Sequence, residues 1–375
     1  MQNKKILVAA AGGVMGLLAV LLVRYGNPAN MGYCIACFLR DISGGLKLHR
    51  AETVQYMRPE ILGLITGAFI AAVYTKEHRA VGGSSSLTRF LLAFVSMIGM
   101  LVFLGCPVRV ALRLAGGDLN AGVGLLGLIA GVFIGVQFLN RGFSLGKSVS
   151  QPKVNGYIFP AIAIILLILT LSGASFFAAS KTGPGSMHAP VIISAAAGLI
   201  AGILVQRARF CTVGGIRDFI MFGDTHLLIG FLSLLVVAFI GNISVGAFKL
   251  GFAGQPIAHT DGVWNFLGMA LAGTGSTLIG GCPLRQLTAA SEGNTDCAVT
   301  VFGLIAGAAF AHNFGLAAGP NGVPAAGQAA VLIGLAVVLL TGFAGVYRSK
   351  SVPGGGRTWT KRLMRAGCFA LNRCC

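Results

Sequence analysis

Four cysteines stand at matched places in the chain. Cys34 opens "CIACFLRD" and Cys211 opens "CTVGGIRD", with Arg six and Asp seven positions on in both (Arg40–Asp41, Arg217–Asp218). Cys106 in "GCPVR" and Cys282 in "GCPLR" are separated by almost the same stretch of chain as Cys34 and Cys211. Each is followed by a proline, Pro107 or Pro283, and three positions on by an arginine, Arg109 or Arg285. Proline suits the first position of a helix, where its missing N–H would have no partner. "CPVRVALRL" and "CPLRQLTAA" therefore read as short helices whose N-terminal ends carry a thiol. Free N–H groups and the helix dipole make such an end attractive to an anion. The same field favours a thiolate, but a thiolate repels an anion whereas a neutral S–H donates to it. We expect neutral thiols acting as weak donors.

Cysteine is also small and apolar and fits tight packing. Recurrence at a matched offset, each time opening a polar segment, favours the chemical reading for Cys34, Cys106, Cys211 and Cys282. Cys297 has no such counterpart, because Ala121 holds the equivalent position in the first half. Arg109 either pairs with Asp118 or lends positive field to an anion path; Arg285 has the same choice, with Glu292 or Asp296 as partner. Arg40–Asp41 and Arg217–Asp218 read as loop-fixing pairs. Asn313 in "AHNFG" is a candidate lining residue or a satisfied interior amide. Cys34 and Cys37 form a C-x-x-C, but Gly214 stands where Cys37 would repeat. No histidine lies at zinc spacing, so no metal site is expected.

These segments interrupt an apolar chain. Of 375 residues, 55% are apolar and 10% charged, against roughly 25% charged in soluble domains. Ten apolar runs have the length of membrane spans: 6–24, 59–75, 88–105, 121–139, 156–178, 189–206, 226–247, 264–280, 298–317 and 325–347. The first follows a basic head, as a signal peptide would, but it is long and no small-residue cleavage site follows, so it reads as a retained helix. The expected fold is an all-α polytopic membrane protein with about ten transmembrane helices plus re-entrant half-helices.

The formal charge of +18 does not imply nucleic acid, because Lys and Arg fall between and after the spans. Placing both termini in the cytoplasm puts Lys4, Lys5, Lys76, Arg79, Arg141, Lys147, Arg207, Arg209 and the tail on one side. Arg40, Lys47, Arg50 and Arg58 break that pattern in the first external segment. The cysteine motifs repeat, and "GLIAG" recurs at Gly127–Gly131 and Gly303–Gly307, at the same distance after each Cys-Pro cysteine. This marks a duplicated unit: a first repeat over 1–155, a linker over 156–186, a second repeat over 187–347, and a basic tail over 348–375. Five spans separate equivalent positions, so the second copy is inverted relative to the first, as in many transporters. The tail carries Cys368, Cys374 and Cys375 and no acids; attraction to a lipid surface accounts for its charge.

At "GNPANMGYCIACFLRD", "FLGCPVR", "RARFCTVGGIRD" and "GGCPLRQLTAASEGNTD" the chain resembles the YeeE/YedE membrane family, most of all its YedE branch of selenium transporters. The resemblance spans about residues 6 to 347. It implies an hourglass of broken helices in a bacterial inner membrane, with Cys34, Cys106, Cys211 and Cys282 along a central path. It implies a permease for a small sulfur- or selenium-containing anion such as thiosulfate, passed by S–H hydrogen bonds, with no cofactor. The alternative is covalent transfer of sulfur or selenium from a cysteine to a cytoplasmic carrier protein, or a thiol redox relay. No catalytic residues are assigned.

Overall fold

The computed structural model describes residues 2–351; Cys368, Cys374 and Cys375 lie outside the described residues, as does most of the basic tail. Ten long helices are present among them: α1 (Gln2–Arg24), α3 (Pro59–Tyr74), α4 (Ser86–Phe103), α6 (Asn120–Asn140), α7 (Lys153–Leu171), α8 (Val191–Ala208), α10 (His226–Ser244), α11 (Gly262–Ile279), α13 (Thr295–Asn313) and α14 (Ala325–Ser351). Each of the ten expected spans falls on one of them. Nine are long and apolar enough to cross a bilayer, and α3, at 16 residues, is a shorter apolar helix. The chain is an all-α, multi-pass membrane protein. Its only named strands among the described residues are the two-residue β1 (Val81–Gly82) and β2 (Val149–Ser150), paired antiparallel.

Four short helices complete the fold: α2 (Ile35–Gly45), α5 (Pro107–Ala115), α9 (Thr212–Phe222) and α12 (Pro283–Ser291). At about 1.5 Å per residue they are about 14–17 Å long, half a hydrocarbon core. Three of them follow a long helix after a short break. Helix α4 stops at Leu104 (φ 62°), α8 at Arg209 (φ 50°) and α11 at Gly280 (φ 107°). A residue in the left-handed region ends a helix. Leu104 and Arg209 take that conformation without being glycine, at a cost of order 1–2 kcal/mol each.

The packing follows the sequence offset. Helix α3 packs on α8 and α10 on α1; α4 packs on α13 and α11 on α6; α5 packs on α10 and α12 on α3; α2 packs on α13 and α9 on α6. Moving each contact along the chain by the offset between the cysteine motifs generates its counterpart. Helices α4 and α11 also pack on each other and occupy the interior. Helices α7, on α3, and α14, on α4 and α11, lie outside this scheme.

The "GLIAG" glycines are packing positions. A Cβ on Gly127 or Gly131 would run into the carbonyl oxygens of Phe266 or Ala270 of α11. Gly303 and Gly307 face Phe90 and Phe94 of α4 in the same way. Such close backbone approach is how helices associate in lipid, where apolar side chains gain little by leaving the bilayer. Gly131→Val should therefore lower the unfolding free energy by about 1–3 kcal/mol or more, read as a lower melting temperature in detergent. Gly122→Ala, whose new methyl meets its nearest side-chain atom at 3.9 Å, should leave it unchanged.

Candidate functional site: paired thiols at four helix N-termini

Each of the four repeated cysteines is the N-cap of a short helix: Cys34 of α2, Cys106 of α5, Cys211 of α9 and Cys282 of α12. An N-cap side chain normally supplies an oxygen to the free N–H groups of the first turn. Here sulfur takes that place. The Cys37 N–H donates to Cys34 Sγ at 3.4 Å, and the Gly214 N–H donates to Cys211 Sγ at 3.2 Å. Accepting these bonds leaves both S–H protons available for another acceptor. Pro107 and Pro283 occupy the first turns of α5 and α12, as their sequence context requires.

The thiols come together as two pairs. Cys34 Sγ and Cys106 Sγ are 4.0 Å apart, and Cys211 Sγ and Cys282 Sγ are 3.6 Å apart. The backbone N–H groups of Ala36 and Arg109 are directed at Cys106 Sγ. Those of Thr212 and Arg285 are directed at Cys282 Sγ. Each Cys-Pro sulfur thus sits where two helix N-termini converge, its own and that of the neighbouring short helix. The short helices that carry the two pairs also touch, α2 with α12 and α5 with α9. All four cysteines are buried, the most exposed being Cys211 at 4%.

The arginines depart from the expected pairing. Arg109 does not meet Asp118; Arg113 does, with Nε 2.6 Å from Asp118 Oδ2. The turn through Gly116 and Gly117 brings Asp118 back onto the last turn of α5, where Arg113 lies and Arg109, one turn earlier, does not. The fully buried Arg109 donates instead to the carbonyls of Asn30 (3.0 Å), Ile257 (3.2 Å) and Leu104, and to Cys37 Sγ at 3.4 Å. Arg285 pairs with Glu292 at 2.9 Å, one of the two partners expected. Asp296, the other, accepts from Gly83, Ser84 and Ser148. Arg209 carries the ion chain on, 3.8 Å from Glu292 and 3.2 Å from Glu77.

Asn313 lies away from the thiols. It is exposed at the end of α13, where its amide donates to the Leu48 carbonyl (2.9 Å) and accepts from the Arg50 N–H (3.4 Å). It latches α13 to the loop after α2 and does not line the paired cysteines. The cysteine-to-Arg-Asp motifs do hold local structure. Asp41 is shared by Arg40 and Arg58, each at 2.7 Å, with all three side chains buried. Arg217–Asp218 is the partly exposed equivalent at 2.8 Å. The repeated motifs do not mark Arg113. A second arginine one turn after Arg109 is the signal that could have found it.

Broken helices meeting at facing N-termini, in an all-helical membrane fold whose packing repeats at a fixed offset, define the class as a membrane transporter. Residues 207–353 match the family model described as sulphur transport, that of the YeeE/YedE family. The matched segment includes Cys211, Cys282, Pro283 and Arg285, and the first half repeats these motifs at Cys34, Cys106, Pro107 and Arg109. No curated protein matches the chain.

Removing the shared carboxylate should expose how far the fold leans on the buried ion group. Asp41→Asn leaves two buried guanidinium groups without their counter-ion, a loss of about 3–5 kcal/mol in typical buried pairs. A sharp fall in melting temperature with intact membrane insertion is the expected result.

Proposed function

We propose that this protein is an inner-membrane permease for a small sulfur- or selenium-containing anion, thiosulfate or a selenium analogue, of the YedE kind. The anion passes along Cys34, Cys106, Cys211 and Cys282. The observation that carries this reading is the arrival of all four thiols, as N-caps of four short helices, in two contacting pairs. Each pair offers S–H donors and convergent backbone N–H groups, which favour an anion without a full positive charge at every step. A soft terminal sulfur or selenium atom suits thiol donors. Selenium and sulfur anions share this chemistry.

The recurring packing pairs support two inverted repeats, 1–155 and 187–347; the distribution of Lys and Arg between the spans supports a cytoplasmic N-terminus. On that orientation the Cys34–Cys106 pair belongs to the external half and the Cys211–Cys282 pair to the cytoplasmic half. Release from the second pair delivers the anion to the cytoplasm, where a sulfur or selenium carrier protein would receive it.

Uptake into proteoliposomes tests the reading. Cys106→Ala and Cys282→Ala should each reduce uptake of labelled thiosulfate or selenosulfate to background, with monodisperse protein recovered from the membrane. Normal uptake in both variants rules out the thiol path. A persulfide or selenenyl adduct trapped on Cys282 during turnover would replace hydrogen-bonded relay by covalent transfer.

A further inference from the structure

The two halves match closely enough for their differences to carry information, and three differences fall on one place. Cys37 in α2 has Gly214 as its counterpart; Arg113 in α5 has Ala289; and Glu292, which neutralises Arg285, has Gly116. A Cβ at Gly116 would collide with the Asn30 amide, so no carboxylate fits there. Around the first pair of thiols, then, a third thiol is gained, a second arginine is gained together with its partner Asp118 (Asn294 in the second half), and the acid that would neutralise Arg109 is lost.

The geometry around Arg109 shows the consequence. Its guanidinium is buried, and among the described residues no carboxylate lies within ion-pair distance of it. Its Nη1 reaches Cys37 Sγ at 3.4 Å; Cys37 Sγ donates to the Leu104 carbonyl at 3.9 Å, and the Cys37 backbone N–H donates at 3.4 Å to Cys34 Sγ, itself 4.0 Å from Cys106 Sγ. Arg113 sits one turn on, on the same face of α5, and its charge also reaches Cys37. Asp118 holds Arg113 Nε and the Phe103 carbonyl takes Nη1, while the Phe103 ring lies 4.3 Å from the guanidinium carbon. Nη2 is buried with no hydrogen-bond partner. Four of the five buried arginines of the first half lie here (Arg40, Arg58, Arg109, Arg113; Arg89 meets Ser84 and the Ile279 carbonyl instead) against three buried carboxylates (Asp41, Glu60, Asp118). A buried charge in a membrane is normally paired or faces a pathway.

We propose that Arg109, Arg113, Cys37, Cys34 and Cys106 form the anion-holding station of the transporter, in which the substrate is the missing counter-ion. The proposal rests on the permease reading above and adds where the anion is held. The oxyanion end is taken by Arg109 and the free Arg113 Nη2, and the soft sulfur or selenium end by the three thiols. The second half, whose arginine is already neutralised by Glu292, passes the anion on and holds it weakly. On the orientation proposed above, capture is external and release is cytoplasmic.

The test gives each first-half residue its second-half counterpart. Purified wild type, Cys37→Gly and Arg113→Ala are compared, in reducing buffer, for thiosulfate binding by calorimetry in detergent and for the concentration dependence of uptake in proteoliposomes. Each variant should weaken binding about tenfold or more and raise the KM for uptake by a similar factor, while retaining transport at saturating thiosulfate. Arg109→Lys, which keeps the charge, should bind more tightly than Arg109→Gln. Wild-type binding and KM retained in both Cys37→Gly and Arg113→Ala would overturn the station and leave the permease reading intact. Wild-type protein that neither binds nor transports thiosulfate, selenite or selenosulfate would overturn both.

Discussion

The structure depends on one constraint: a helix that begins inside a membrane exposes N–H groups that water cannot reach. Four helices begin this way, and each must find acceptors within the protein. Cysteine at the N-cap meets the need with an atom that accepts weakly and stays small and apolar. Asp at the same position would cap the helix better, but it would set a fixed negative charge on the path proposed for the anion. Ser would cap with a harder oxygen. On the proposed path, sulfur leaves the cap loose enough for the anion to displace it. The Cys-Pro helices lighten the demand by placing at the first turn a residue with no N–H to satisfy.

The charges close to these breaks are arranged by the same logic. Arg40, Asp41 and Arg58 brace the far end of α2 against the loop that carries Pro184 and Met187. Glu77, Arg209, Glu292 and Arg285 link the ends of α3, α8 and α12 around the second pair of thiols. In both halves a strand-like bridge seals the turn after the Cys-Pro helix, at Asp118 with Gly251 and at Val81 with Asn294. Rigid surroundings keep two N-termini aimed at one sulfur, which an unbraced break would not do.

The long helices were legible because each is a continuous apolar run, and the Cys-Pro helices because proline after a polar break marks a start. Repeated motifs were legible for another reason: they leave a record that does not depend on contact geometry. Pairing of charges was less legible. Arg109 and Arg113 both lie on the helix before Asp118, and only the turn at Gly116–Gly117 decides between them. Asn313 follows an interior-looking run, yet α13 ends at that residue, and composition does not locate such a boundary. The places of α7 and α14 were also beyond reach. They carry exposed apolar residues on much of their surface, such as Ile165, Ile168, Leu340 and Phe343, so few polar residues register them against a neighbour.

On the inverted-repeat reading, departures from symmetry are informative. A unit that inverts in the membrane presents the same groups to both sides, and a transporter built from two identical halves would hold its substrate equally well at either end. Relative to the second half, Cys replaces Gly at 37, Arg replaces Ala at 113 and Gly replaces Glu at 116. These changes alter the field at one end without disturbing the shared packing of α4 on α13 and α11 on α6. The halves therefore agree where backbone meets backbone, at the "GLIAG" glycines, and differ where side chains set the charge. Such asymmetry cannot by itself drive net import. On the proposed station and orientation, it sets how dilute an anion the external end loads, while a weaker second pair keeps that affinity from delaying release.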